Sequence, residues 1–182
     1  MTKKGTTLIE LLIAIIILGI IMTVFSSIYL IGVNSFRNEF VQSQLLSNSQ
    51  VIVDRINQDV KFAQGIDETF NSYTTSNTLL IIQSPAIDTE HIFIPNGIDR
   101  IIYYQDGEEL HRVIYANPNS SRYPQNGIDQ ILTKNLKTLS FGFFPDQANP
   151  NKVSTTLTLS KGVGKLYRSV TITAKAKMRN KL

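Results

Sequence analysis

Few side chains in this sequence have the type and spacing to do chemistry, and the most unusual is a carboxylate at the edge of an apolar run. Glu10 stands directly before residues 11–33, which carry no charged side chain, and the next charge is Arg37. A carboxylate entering an apolar medium alone is costly, so Glu10 requires a cation. His91 and His111 lack an i+3 or i+4 partner and a CxxC companion, so each reads as a strand surface residue rather than a ligand. Asp106, Glu108 and Glu109 form an acidic turn. Their oxygens would suit calcium, but the spacing matches no recognised loop, and the group reads as solvated. No Ser/His/Asp set, glycine-rich phosphate loop or paired-carboxylate signature stands out. The sequence therefore points away from an enzyme and implies neither a metal nor a cofactor.

The element that positions Glu10 is a helix. At about 1.5 Å rise per residue, residues 11–33 are long enough to cross a hydrocarbon core of roughly 30 Å, with Leu11, Ile16, Ile20 and Phe25 among the side chains of the span. The β-branched residues do not argue against helix, because in lipid a single segment can satisfy its backbone only that way. A secretory signal peptide would have a shorter apolar core and a small-residue cleavage site, for which Ser26-Ser27 is the only candidate. A plain anchor with an incidental Glu10 is the other alternative. The helix is predicted to run from residue 7 to 63, since no proline precedes Pro85 and no glycine lies between Gly32 and Gly65. Leu46, Val53 and Val60 recur every seven residues beside Leu45, Ile52, Ile56 and Ala63, with Asn57, Gln58, Asp59 and Lys61 among the polar positions. This second half is amphipathic and should dock on a globular domain, with Gly65 as its stop. The polar residues Ser43, Gln44, Ser47, Asn48 and Gln50 weaken a coiled-coil reading.

Beyond Gly65 the pattern changes to period two with turn residues, which predicts strands over 78–83, 91–94, 100–105, 110–115, 136–144, 153–160 and 167–178. A hairpin is expected around Asp106-Gly107, and a loop over 117–127. In the last strand Val170, Ile172, Ala174, Ala176 and Met178 share one face, while Ser169, Thr171, Thr173, Lys175 and Lys177 share the other. The expected fold class is α+β: a long N-terminal helix, transmembrane then amphipathic, packed on an antiparallel β-sheet head.

The formal charge is +4, and loss of Lys3 and Lys4 would leave +2. After Asp146 there is no acid, whereas Lys152, Lys161, Lys165, Arg168, Lys175, Lys177, Arg179 and Lys181 follow. This stretch reads first as a solvated strand face, then as a contact for anionic lipid or a partner subunit, and last as a phosphate contact to nucleic acid, for which an aromatic row is missing. With no cysteines the head depends on packing alone.

Lys3-Lys4-Gly5, four residues, then Glu10 and the apolar run together resemble the N-terminus of prepilins, the family of type IV pilins and of the pseudopilins of type II secretion and competence systems. The resemblance implies cleavage by prepilin peptidase between Gly5 and Thr6, methylation of the Thr6 amine, and Glu10 as the fifth residue of the mature chain. It also supplies the cation, the Thr6 amine of a neighbouring subunit. Thr6 stands where the family usually has Phe. Residues 54–60, Leu110-His111-Arg112, residues 132–144 and Met178-Arg179-Asn180 look like the J-type minor pseudopilins and PilW-type minor pilins. The organisation then expected is a leader over 1–5, a transmembrane and assembly helix over 6–35, a docking helix over 36–64 and a β-rich head over 65–182. The resemblance implies a minor subunit that initiates or tips a fibre. Its partners would be prepilin peptidase, other pilins or pseudopilins, an inner-membrane assembly platform and membrane lipid. The protein would sit in the cell membrane as a single pass, N-terminus cytoplasmic and head extracytoplasmic, before entering a pilus or pseudopilus. The alternative is an adhesive or DNA-capturing tip module.

Overall fold

In the computed structural model, which describes residues 7–147, 150–162 and 167–179, α1 covers Leu8–Phe62, within one residue of the predicted helix at either end. The chain forms two compact units, Met1–Val41 and Gln42–Leu182. The α+β class and the antiparallel pairing are those that the residue periodicities imply.

In the first unit α1 is apolar on every side. Leu11, Ile16, Ile20 and Phe25 are 60%, 54%, 59% and 66% exposed, so no face of the helix is set apart for a core. Two of its hydroxyls bond back to the helix: Thr23 Oγ1 donates to the Ile20 carbonyl at 2.7 Å and Ser27 Oγ to the Thr23 carbonyl at 2.9 Å. Among the described residues α1 is the one helix long and apolar enough to cross a membrane.

In the second unit α1 buries Leu45, Ser49, Ile52, Val53, Ile56 and Val60. Leu46, expected in this stripe, is 43% exposed. The reason is geometric: a seven-residue repeat drifts by about 20° per heptad on a 3.6-residue helix, so Leu46 sits at the margin while Val60 is well inside. Ser49 takes the vacated place and returns its hydroxyl to the Leu45 carbonyl at 2.6 Å. Gly65 is not the predicted stop. The helix closes with Ala63 N–H on the Val60 carbonyl, Gln64 N–H passes to the Gln83 carbonyl, and Gly65 already belongs to a strand.

The strands are β1 Gly65–Ile66, β2 Thr69–Phe70, β3 Tyr73–Thr74, β4 Leu79–Ile87, β5 Phe93–Asp106, β6 Glu109–Tyr115, β7 Asp129–Thr133, β8 Leu136–Phe144, β9 Lys152–Lys161 and β10 Arg168–Lys177. They form a five-stranded sheet ordered β1-β4-β5-β6-β7, a three-stranded sheet β10-β9-β8 and the small hairpin β2-β3. Tyr103 and Arg112 of the large sheet reach Asp59 of α1, which fixes the face that the helix covers. The opposite face is covered by β2-β3, where Phe70 meets Tyr115 and Tyr73 meets Tyr104 with ring centroids 5.2 and 5.6 Å apart. Burial on both faces explains why Leu80, Ile81 and Ile82 and their partners Ile101, Ile102 and Tyr103 form unbroken apolar runs instead of alternating.

Several predicted boundaries move. The strands expected over 91–94 and 100–105 are one strand, β5, and β4 runs through Pro85 with a bulge before Ile87. The close approach is possible because residue 97 is glycine: a Cβ there would lie 2.9 Å from Ala86 Cβ. His91 is not on a strand but in the β4-β5 turn, at φ 66. The β5-β6 loop is Gly107-Glu108, with Asp106 still paired to Glu109. Gly107 has φ 56 and Glu108 is not at positive φ, the pattern of a type II′ turn. The last strand alternates as expected, with Ala176 and Met178 buried and Ser169, Thr171, Thr173, Lys175 and Lys177 exposed. The small sheet is tied to the rest of its unit by Leu136 N–H on the Glu108 carbonyl, Phe141 N–H on the Asn77 carbonyl and Arg179 N–H on the Lys61 carbonyl.

Candidate functional site

The candidate assembly site is the start of α1. Gly5 and Thr6 lie outside the described residues, so the site is built from Thr7 onward. Glu10 is exposed in the first turn of the helix. Its Oε2 accepts the Thr7 N–H at 2.8 Å, and its own N–H donates to Thr7 Oγ1 at 3.4 Å. This reciprocal pair is a capping box, which satisfies two backbone donors that a helix N-terminus otherwise leaves open. The helix dipole adds a partial positive charge at the same end, which favours the carboxylate there. Thr7 and Glu10 stand in the Thr-x-x-Glu spacing of such a box, so the cap is legible in the sequence itself. The site thus holds an ionisable oxygen pair one turn from Thr7, followed by side chains with nothing to cover them.

A second set of polar residues lies in the head, where pairing is structural. Arg112 is 5% exposed and donates through Nη2 to Asp59 Oδ2 at 3.0 Å and through Nε to the Tyr103 hydroxyl at 3.0 Å. Tyr103 in turn donates to Asp59 Oδ2 at 2.6 Å. Burial above all, then the Asp59 charge, pushes the Tyr103 phenol well above its usual range. For Arg112 burial works against the charged form, but the Tyr103 and Asp59 charges and hydrogen bonds outweigh it, and the net shift is upward. Buried Asp99 accepts from Asn117 N–H, Ser120 Oγ and Arg122 Nη1 at 2.8, 2.7 and 2.8 Å, which pins the 117–127 loop to β5. Asp67 accepts from Arg100 Nε at 2.7 Å and from Gln83 Nε2.

His111 departs from the surface role expected of it. It is 8% exposed, stacks on Tyr104 at 4.8 Å between centroids, and donates through Nδ1 to Asp129 at 2.9 Å. Its Nε2 is buried without a hydrogen bond, 3.4 Å from Glu109 Oε2. Asp129 also accepts the Tyr104 hydroxyl at 2.8 Å, and burial followed by that bond raises the Tyr104 pKa. The partners lie 18 and 25 residues apart in the chain, so no local motif announces them. Of the acidic turn, Asp106 and Glu108 are exposed, whereas Glu109 also meets Lys134 at 3.2 Å. In the basic C-terminal stretch Lys175 Nζ lies over the Phe144 ring at 5.8 Å, and Lys165 and Lys181 lie outside the described residues.

No curated protein sequence matches this chain. Residues 1–26 match the model of the prokaryotic N-terminal methylation motif. That stretch contains the lysines, Gly5, Glu10 and the apolar start of α1, and the match supports a class III, type IV pilin-like signal peptide at the front of a membrane-anchored, pilin-like subunit.

Proposed function

We propose that this protein is a minor pilin or pseudopilin, held in the cell membrane through α1 and built from there into a type IV pilus-like or type II secretion fibre, where it initiates or tips the assembly with other minor subunits. The observation that carries the reading is the methylation motif over residues 1–26, which runs into α1, where the large apolar side chains from Leu8 to Ile31 are exposed. In lipid that surface is at ease. Outside lipid it requires neighbouring helices.

Prepilin peptidase then cuts between Gly5 and Thr6, and the Thr6 amine, once methylated, still carries its charge. Glu10 is the counter-charge for that amine on the adjacent subunit. Two opposite charges in a water-poor bundle attract strongly, and a subunit in the wrong register would strand both, so the pair selects the axial stagger. In the free subunit Glu10 has an intrachain use as the cap on Thr7, which keeps the carboxylate satisfied until a neighbour arrives.

The experiment separates capping from charge. Gln at the third helical position can still close a capping box, so Glu10→Gln keeps the cap and loses the charge, while Glu10→Ala loses both. Both variants should be cleaved and inserted like the parent, and both should fail to enter fibres when expressed with prepilin peptidase and the remaining subunits. Normal incorporation of Glu10→Gln would reduce Glu10 to a helix cap. Mass spectrometry showing residues 1–5 still attached in assembled fibres would remove the processing step.

A further inference from the structure

Away from the apolar half of α1, the outer edge of β7 is open. The five-stranded sheet ends there, and among the described residues no backbone group bonds to the side of Asp129–Thr133 that faces away from β6. Natural edge strands are usually blunted by lysine, proline or a covering segment. β7 has neither lysine nor proline; its one irregularity is a register shift against β6 between Ile131 and Thr133, and Ile128 and Ile131 ahead of it are 58% and 42% exposed.

A cavity of about 380 Å³ beside the edge is lined by Arg55 of α1, Arg112 and Ile114 of β6, Gln125 and residues 128–131. The charges in it are unequal in availability. Arg112 is taken by Asp59 and Tyr103, and Asp129 by His111 and Tyr104. Arg55 is exposed, and no hydrogen bond or ion pair among the described residues engages its guanidinium. Arg55 also lines the neighbouring hollow, together with Asp54, Asp59 and Arg112, whereas Asp54 does not line this cavity and makes no ion pair with Arg55.

We propose that the β7 edge is a docking site for an extended acidic segment of another protein, which adds as a sixth strand and places a carboxylate on Arg55. Main-chain pairing to β7 would supply the affinity, the isoleucines would take apolar side chains, and the free guanidinium would select the charge. A second copy of this chain does not fit as the occupant. Its other long open edge, β10, carries Arg168, Lys175 and Lys177 and no acid, the outer edge of β8 is bonded at Leu136 and Phe141, and the one acid of a second β7, Asp129, is already held by His111 and Tyr104. The inference is independent of the fibre reading, since nothing in residues 1–41 enters it.

The test uses the full chain in detergent micelles and fluorescently labelled peptides of alternating Thr and Val with one central Glu or one central Lys, followed by anisotropy. The Glu peptide should bind about ten-fold more tightly than the Lys peptide, the advantage of a charge-assisted contact. Arg55→Ala should erase that difference and Arg55→Glu should invert it, with thermal unfolding unchanged because Arg55 is exposed. N-methylation of alternate peptide amides should abolish binding by removing strand pairing. Absence of binding, equal binding of the two peptides, or an unchanged ranking in Arg55→Glu would overturn the proposal. Self-association of the chain that the Glu peptide displaces would overturn the choice of partner.

Discussion

At the scale of single residues, the head is held by charges that neutralise one another in places water barely reaches. Arg112 is the clearest case, since its side chain is 6% exposed against 18% for Asp59. Removing one partner of a buried pair leaves the other uncompensated, which typically costs about 3–5 kcal/mol. Asp59→Ala should therefore destabilise the head by that order, whereas the exposed Asp54→Ala, one turn earlier on the same helix, should change it by less than ~0.5 kcal/mol. Urea unfolding of the two variants side by side checks this. Equal midpoints would mean that the Tyr103–Asp59–Arg112 cluster contributes nothing. Asp59 and Arg112 were both visible as charged residues, but their sequence separation of 53 hides the pairing until the sheet closes on the helix.

At the scale of elements, two glycines do different work. Gly97 sits where β4 and β5 approach closely, and an added Cβ would meet Ala86 Cβ at 2.9 Å and Ile94 Cβ at 3.0 Å. Gly107 has open space around it but φ 56, a conformation that L side chains rarely adopt. Gly97→Ala should cost about 1–3 kcal/mol through overpacking, and Gly107→Ala about 1–2 kcal/mol through backbone conformation alone. The distinction is measurable. A partner substitution, Ala86→Gly, should relieve part of the Gly97→Ala cost, since the Ile94 contact remains, and leave Gly107→Ala unimproved; no relief at all would remove the Ala86 contact from the explanation. The same pair marks what local pattern could reveal. Asp106-Gly107 announced a turn through its composition, while Gly97, between Pro95-Asn96 and Ile98, gave no sign that a bulged strand would run straight through it.

At the scale of the whole molecule, burial begins late in α1. The first helix residue in a core is Leu45, and the apolar side chains of α1 before Arg37 are exposed except for the half-buried Val33. A chain that starts at Phe36 keeps every buried helix position and loses the charge-free run, so it should be soluble and monomeric, with cooperative thermal unfolding. Size-exclusion chromatography and circular dichroism decide this. A fragment that aggregates under all conditions would show that the head depends on the first unit for its fold.

What the sequence determined by itself was whatever depends on neighbours along the chain. The apolar run, its carboxylate, the helix to Phe62, the Gly107 turn and the alternation of β10 all follow from 3.6- and 2-residue periods and from turn chemistry, which act over a few residues. The tertiary structure decided what depends on contacts between distant segments. Short strands such as β2, β3 and β7 have too few residues to show a period, and they exist because the large sheet offers them an edge or a face. His111 became an interior residue because β7 brought Asp129 beside it and Tyr104 stacked against it. The groove beside Arg55 arises only where α1 lies next to the last strand of a sheet that stops one strand short of covering it, and no spacing of residues along the chain encodes that ending.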